Sequence, residues 1–218
     1  MQVISFVGAL LLLAQAIAAQ AQAAIDRGDP KTAIKLLEKA VAEIPNDADA
    51  HYLLGVAYGR RAEQPDAIPH AYYARLTVNE FEKAVAVNPG HRDARMALVQ
   101  YYTLAPEPMG GSIQRAQNEA NELLKTSPAD GHRANAFIDA HLKKYDDAAG
   151  ELREAVKLEP DDMPTWFEIG HLAAQSGKNL DEGERALEKY IAYTPKKGEP
   201  PREDALADLE KIRQRRGR

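Results

Sequence analysis

The side chains in this chain that could do chemistry are six histidines, several paired carboxylates, four serines and one glycine-rich stretch. His51, His70, His91, His132, His141 and His171 form no H-E-x-x-H or other close zinc pair. His51 and His141 fall on aromatic-type packing positions and read as packed histidines, while His132 reads as a hydrogen-bonding residue at a helix entrance. Asp47/Asp49, Asp146/Asp147 and Asp161/Asp162 sit at helix starts or turns, where acids oppose the positive end of the helix dipole. Acid–base catalysis needs a shared cleft and a tuned pKa, and nothing in the spacing of these acids supplies either. The run PNDADAH lacks the glycine and closing glutamate of a calcium loop, and no serine stands in G-x-S-x-G.

The glycine-rich stretch LAPEPMGGSIQRA, residues 104–116, raises the question of a phosphate cradle. A P-loop needs a lysine in register and a preceding strand, and both are missing. Pro106 and Pro108 are therefore read as stopping one helix, Gly110 and Gly111 as turning the chain, and Ser112 as capping the next helix. A weak anion site on exposed N–H groups stays open at this point. No catalytic residue, metal or cofactor is expected.

Those groups have to be positioned by helices. Ala, Leu, Glu and Lys are abundant, aromatics make up 6%, and Val and Ile are too scattered to build a sheet. The formal charge of −5 gives no general reason to bind nucleic acid, and the basic run Lys211–Arg218 reads as a solvated helix end. There is no cysteine, which excludes disulfides, thiolate metal sites and a lipidated cysteine. The opening MQVISFVGALLLLAQAIAAQAQAA combines an apolar run, Val3–Leu13, with the A-x-A site Ala19-Gln20-Ala21. That is the shape of a secretory signal over residues 1–21, though without a basic start. The expectation is a periplasmic or secreted protein with no lasting membrane span. The alternatives are an uncleaved N-terminal anchor, or use of this Ala-rich segment as the first helix of the fold.

Three segments align: Glu38–Pro45 (EKAVAEIP), Glu82–Pro89 (EKAVAVNP) and Arg153–Pro160 (REAVKLEP), with weaker copies ending at Pro128 and Pro195. Each ends a helical pattern at a proline, which cannot continue a helix. His51-Tyr-Leu-Leu-Gly-Val-Ala-Tyr58 and Trp166-Phe-Glu-Ile-Gly-His-Leu-Ala173 fit the pattern W-x2-L-G-x2-Y in whole or part, and Arg95–Tyr102 and Ala134–His141 are degenerate versions. A small-then-large spacing follows as Ala33/Leu37, Thr77/Phe81, Ala116/Ala120, Ala148/Leu152 and Gly183/Leu187.

On these residues the chain resembles the tetratricopeptide-repeat family, whose period is about 34 residues. The resemblance implies an all-α, right-handed solenoid of five helix-turn-helix units, approximately 22–47, 48–91, 92–130, 131–162 and 163–198, with a capping helix at 203–216. The AP…MGGS…A segment is similar to one found in exported bacterial members of that family, a group that shares no established enzymatic activity. The function implied is a non-catalytic protein- or peptide-binding adaptor of the cell envelope, acting through the concave face. The different-class alternative is a small-molecule- or ion-binding accessory to an envelope transport system. Interpolating helical faces gives Tyr52, Val56, Arg60, Met96, Gln100, Asn135, Asp139, Phe167, His171 and Gln175 as groove candidates. The long connection Gly59–Leu76, expected as a lid or an extended helix, adds the exposed pair Tyr72 and Tyr73.

Overall fold

The computed structural model describes residues 15–66 and 70–217, and over these residues the chain is helical with no strand. Helix α1 is described over residues 15–26, followed by α2 (Pro30–Glu43), α3 (Ala48–Ala62), α4 (His70–Val87) and α5 (Arg92–Leu104). A short 3-10 turn (Glu107–Met109) precedes α6 (Ile113–Thr126), α7 (Pro128–His141), α8 (Tyr145–Leu158), α9 (Met163–Ser176), α10 (Leu180–Ile191) and α11 (Arg202–Arg216). The helices form two compact units, one ending at Ser112 and the other starting at Ile113.

In the first unit α2 packs on α3, α3 on α4 and α4 on α5. Of the expected signal segment, residues 1–14 lie outside the described residues, and from residue 15 onward the chain is helical. Ala21 and Ala24 are fully buried there with Ala33, Leu37 and Leu54. Asp29 and Asp47 start their helices by accepting from the N–H groups of Thr32 and Ala50 at 3.1 and 3.0 Å. In the second unit each helix from α6 to α11 packs on the next, and α11 also packs on α9. Gly55 and Gly170 are among the glycines that permit close helix contact in these units. A Cβ at Gly55 would lie 2.5 Å from the Phe81 ring, and one at Gly170 would collide with Leu187.

The repeat is held at a joint that its consensus does not describe. His51 Nε2, Arg95 Nε and Trp166 Nε1 each donate to the carbonyl of a proline six residues earlier: Pro45 at 3.0 Å, Pro89 at 2.7 Å and Pro160 at 2.9 Å. Each is the fourth residue of its helix, so an imidazole, a guanidinium and an indole occupy the same position. His51 also sets Nδ1 2.6 Å from the buried Glu80 carboxylate.

Helix α7 departs from the expected register. Helices α3, α5 and α9 each start three residues after their proline, but Pro128 is itself the first residue of α7. The fourth residue is then Gly131 rather than Ala134, and a Cβ there would lie 2.5 Å from the backbone of Leu124 in α6. The shortened link draws the two helices so close that the anchoring side chain has no room. Asn135 therefore takes the place of Gly55 and Gly170, and Ile138 that of Tyr58. His141, expected to pack, is exposed at the end of α7.

The Gly59–Leu76 connection resolves into helix on both sides, since α3 runs to Ala62 and α4 begins at His70. Tyr72 and Tyr73 are thus residues of α4 and not of a loop. Tyr72 is exposed, whereas Tyr73 is half-buried with the Arg61 guanidinium 5.3 Å from its ring centre.

Candidate binding cleft

Helix α9 sets Phe167 and His171 four residues apart, hence on one face. Their rings stack at 5.7 Å with an interplanar angle of 16°, and Tyr190 of α10 supports Phe167 at 5.3 Å. After α10 the chain must turn to lay α11 against α9. Gly198 supplies the turn with φ of +91°, and Pro200-Pro201 leads into the helix. The Tyr190 hydroxyl donates to the Pro200 carbonyl at 2.5 Å, and Glu199 accepts from the Lys196 N–H at 2.7 Å.

Helix α11 contributes Asp204 on the exposed side and Asp208 one turn later. Asp208 is buried and both its oxygens are engaged, one with His171 Nδ1 at 2.6 Å and the other with Lys211 Nζ at 2.8 Å. A buried carboxylate with two donors is stable as a structural element. The result is an open-sided cleft of about 640 Å³ lined by Phe167, His171, Gly198, Glu199, Pro200, Pro201, Asp204, Ala207, Asp208 and Lys211. That volume lies within the ~300–1,000 Å³ of ligand sites.

The lining includes a His–Asp pair but no Ser, Thr, Cys or Tyr for such a pair to activate. Its stacked rings, prolines and charged groups suit non-covalent recognition. Among the described residues no group of three or more His, Asp or Glu is placed to hold a metal ion, and no helix is long and apolar enough to cross a membrane.

Of the sequence-derived groove residues, Phe167 and His171 come together in this cleft. Gln175 is exposed one turn further along α9. Asn135 is buried, with an Oδ1 that meets no hydrogen-bond donor. Asp139 is half-buried, 3.8 Å from Lys144, and burial pushes its carboxyl above the ordinary aspartate range. Both were assigned in the register that the shortened α6–α7 link displaces. The remaining candidates belong to the first unit. Tyr52 is half-buried, with ring centres of Phe81 and His91 at 5.8 and 5.1 Å. Val56 and Met96 are half-buried, Gln100 is exposed, and Arg60 reaches Glu63 at 3.2 Å.

Glu199, Asp204, Asp208 and Lys211 were not among the groove candidates, because they lie on α11 and the turn before it and not on the first helix of a pair. The one available signal was that a capping helix must lie on the last pair, so the polar residues beside its apolar stripe border whatever that pair leaves open. A second polar cluster was also unread. Arg133 of α7 faces Glu168 of α9 at 3.1 Å and Asp130 and Asp162 at 3.6 Å each. Burial pushes the Glu168 carboxyl up, against the pull of Arg133.

Two sequence features are settled as architecture. In the glycine-rich segment the Met109 and Gly111 amides donate to the Pro106 carbonyl, Gly110 to Glu107, and Ser112 to Tyr102. Gly110 takes φ of +94°, and a Cβ on Gly111 would overlap the Ala105 carbonyl. These four amides are spent inside the turn and are not offered to an anion. In the basic C-terminal run Arg213 binds Glu184 at 2.8 Å and Glu188 at 3.0 Å. Arg216 binds Glu184 as well and lies 3.0 Å from Asp181. These cations fasten α11 to α10.

Residues 18–77 match the family described as Tetratricopeptide repeat. No curated protein matches the sequence. Among solved structures, the chain is similar to a thermophilic TPR protein of Thermus thermophilus, with a TM-score of 0.69 and 20% identity over 92% of this chain and 99% of that one. It is similar to PilW, described as a widely conserved type IV pilus biogenesis factor, with a TM-score of 0.61 and 15% identity over 94% and 86%. It is also similar to human IFIT1, solved as a dimer with m7Gppp-AAAA, with a TM-score of 0.61 and 21% identity over 93% of this chain but only 46% of that one. The chain thus carries a tetratricopeptide repeat at residues 18–77, and its fold is that of a tetratricopeptide-repeat protein.

Proposed function

We propose that this chain is a non-catalytic scaffold of the bacterial cell envelope that captures a protein partner by an extended segment in the cleft between α9 and α11. The carrying observation is the composition of that cleft: stacked Phe167 and His171, two prolines, and charged side chains, with no hydroxyl or thiol among its lining side chains. Apolar burial on Phe167, Pro200 and Pro201 supplies affinity, and the charged rim fixes register. The envelope setting is supported by the apolar run Val3–Leu13 and the A-x-A site that follows.

The test is a pull-down from envelope extracts with the wild-type chain and with Phe167→Ala/His171→Ala, both checked for helicity by circular dichroism. A captured set that shrinks with the double substitution supports the reading; one indifferent to it removes the cleft as the partner site. Cell fractionation checks the setting, and recovery of the full-length chain only in the cytoplasmic fraction would overturn it.

A further inference from the structure

We infer that the segment held by the α9–α11 cleft is cationic, presenting an arginine or lysine side chain between Phe167 and the carboxylates of Asp204 and Glu199. This rests on the cleft being a peptide site, as proposed above, and adds the chemistry of its occupant.

The argument begins with charge. Three carboxylates line the cleft, on Glu199, Asp204 and Asp208, against one ammonium, on Lys211. Asp208 is buried, and its two oxygens are already taken by Lys211 and His171. The Lys211 ammonium is therefore drawn onto Asp208 and is poorly placed to hold an incoming anion. Glu199 uses its carboxylate on the Lys196 N–H and the Tyr193 hydroxyl, at 2.7 and 3.4 Å, which fixes it at the cleft wall without neutralising it. Asp204 is exposed on the first turn of α11. What faces an approaching ligand is thus negative on the Asp204 and Glu199 side.

The apolar wall agrees with that sign. Arginine and lysine are long amphipathic side chains whose methylene stems lie on apolar surface while the head group stays in water. Phe167, Pro200 and Pro201 provide such a surface beside the carboxylates. An anionic segment would find the same apolar wall but meet Asp204 and Glu199 as like charges, a mismatch that interfaces use to reject wrong partners.

The experiment uses the full chain and three short extended fluorescent peptides that carry Arg, Gln or Glu at the same spaced positions. Binding is read by anisotropy at low and at physiological salt. The Arg peptide is expected to bind best and to weaken as salt rises. Asp204→Asn is expected to lower its affinity roughly two- to fivefold, the range for a solvent-exposed charge. Asp204→Lys, which keeps an exposed helix-surface side chain, is expected to shift preference toward the Glu peptide. If all three peptides bind alike and Phe167→Ala abolishes binding, the cationic assignment is overturned while the peptide cleft stands. A Glu-peptide preference in the wild type overturns it in the same way. If no peptide binds, or Phe167→Ala changes nothing, the peptide cleft itself falls and this inference with it.

Discussion

Tyr58 donates its hydroxyl to Glu38 at 2.7 Å across a separation of 20 residues, and Tyr102 makes the same bond to Glu82 at the same length and separation. In both cases a first helix is tied to the second helix of the preceding pair. Where the tyrosine position holds Ala173 the glutamate position holds Arg153, which instead reaches Glu182 at 2.9 and 2.6 Å. Where it holds Ile138, the partner position holds Asn121. The chain exchanges both members of the contact together.

Tyr58→Phe is expected to cost about 1 kcal/mol in urea unfolding, because the exposed Glu38 stays hydrated when its donor is lost. Burial first, and then the bond to Glu38, raise the Tyr58 phenol above its ordinary 10.0. The folded state therefore holds this proton more tightly than the unfolded state. Its contribution is whole below pH 10 and is lost as pH climbs through the folded value. Stability measured across that alkaline range should fall less steeply in Tyr58→Phe than in the wild type.

Glycine substitutions should separate by sign. Gly170→Ala drives a methyl into Leu187 and is expected to destabilise by about 1–3 kcal/mol. Gly150 lies within α8, where an added methyl would find no atom within 4 Å, so Gly150→Ala is expected to stabilise by about 0.5–1 kcal/mol. Thermal melts of the two variants beside the wild type check both directions.

The Arg213 hydrogen bond is the leading cause that holds the Glu184 carboxyl below its ordinary 4.5, with Arg216 acting in the same sense. A carboxyl depressed in the folded state contributes stability above pH 4.5 and loses it as pH falls through the folded value. Glu184→Gln should flatten that acid limb. It should also speed tryptic removal of α11 at neutral pH, with cleavage followed by mass spectrometry.

The sequence showed the helical period, its proline stops and the small-then-large pairs, because each is a local constraint on backbone or packing. It misplaced α7, because alignment on Pro128 assumes a three-residue step that is absent, and Gly131 carries no side chain to reveal the shift. The cleft was half legible. Phe167 and His171 follow from helical spacing within α9. Asp204 and Asp208 face them only because Gly198 and the two prolines swing α11 across α9, an angle with no local signature. The same holds for Arg213 and Glu184, which lie 29 residues apart in sequence.

The proline carbonyls at the repeat joints ask their partner for reach and a hydrogen to give, and they are indifferent to ring chemistry. Imidazole, guanidinium and indole answer that demand equally at Pro45, Pro89 and Pro160. The tryptophan of the repeat pattern is thus one spelling of a donor rule. A position judged degenerate by residue name can be wholly regular by the bond it makes.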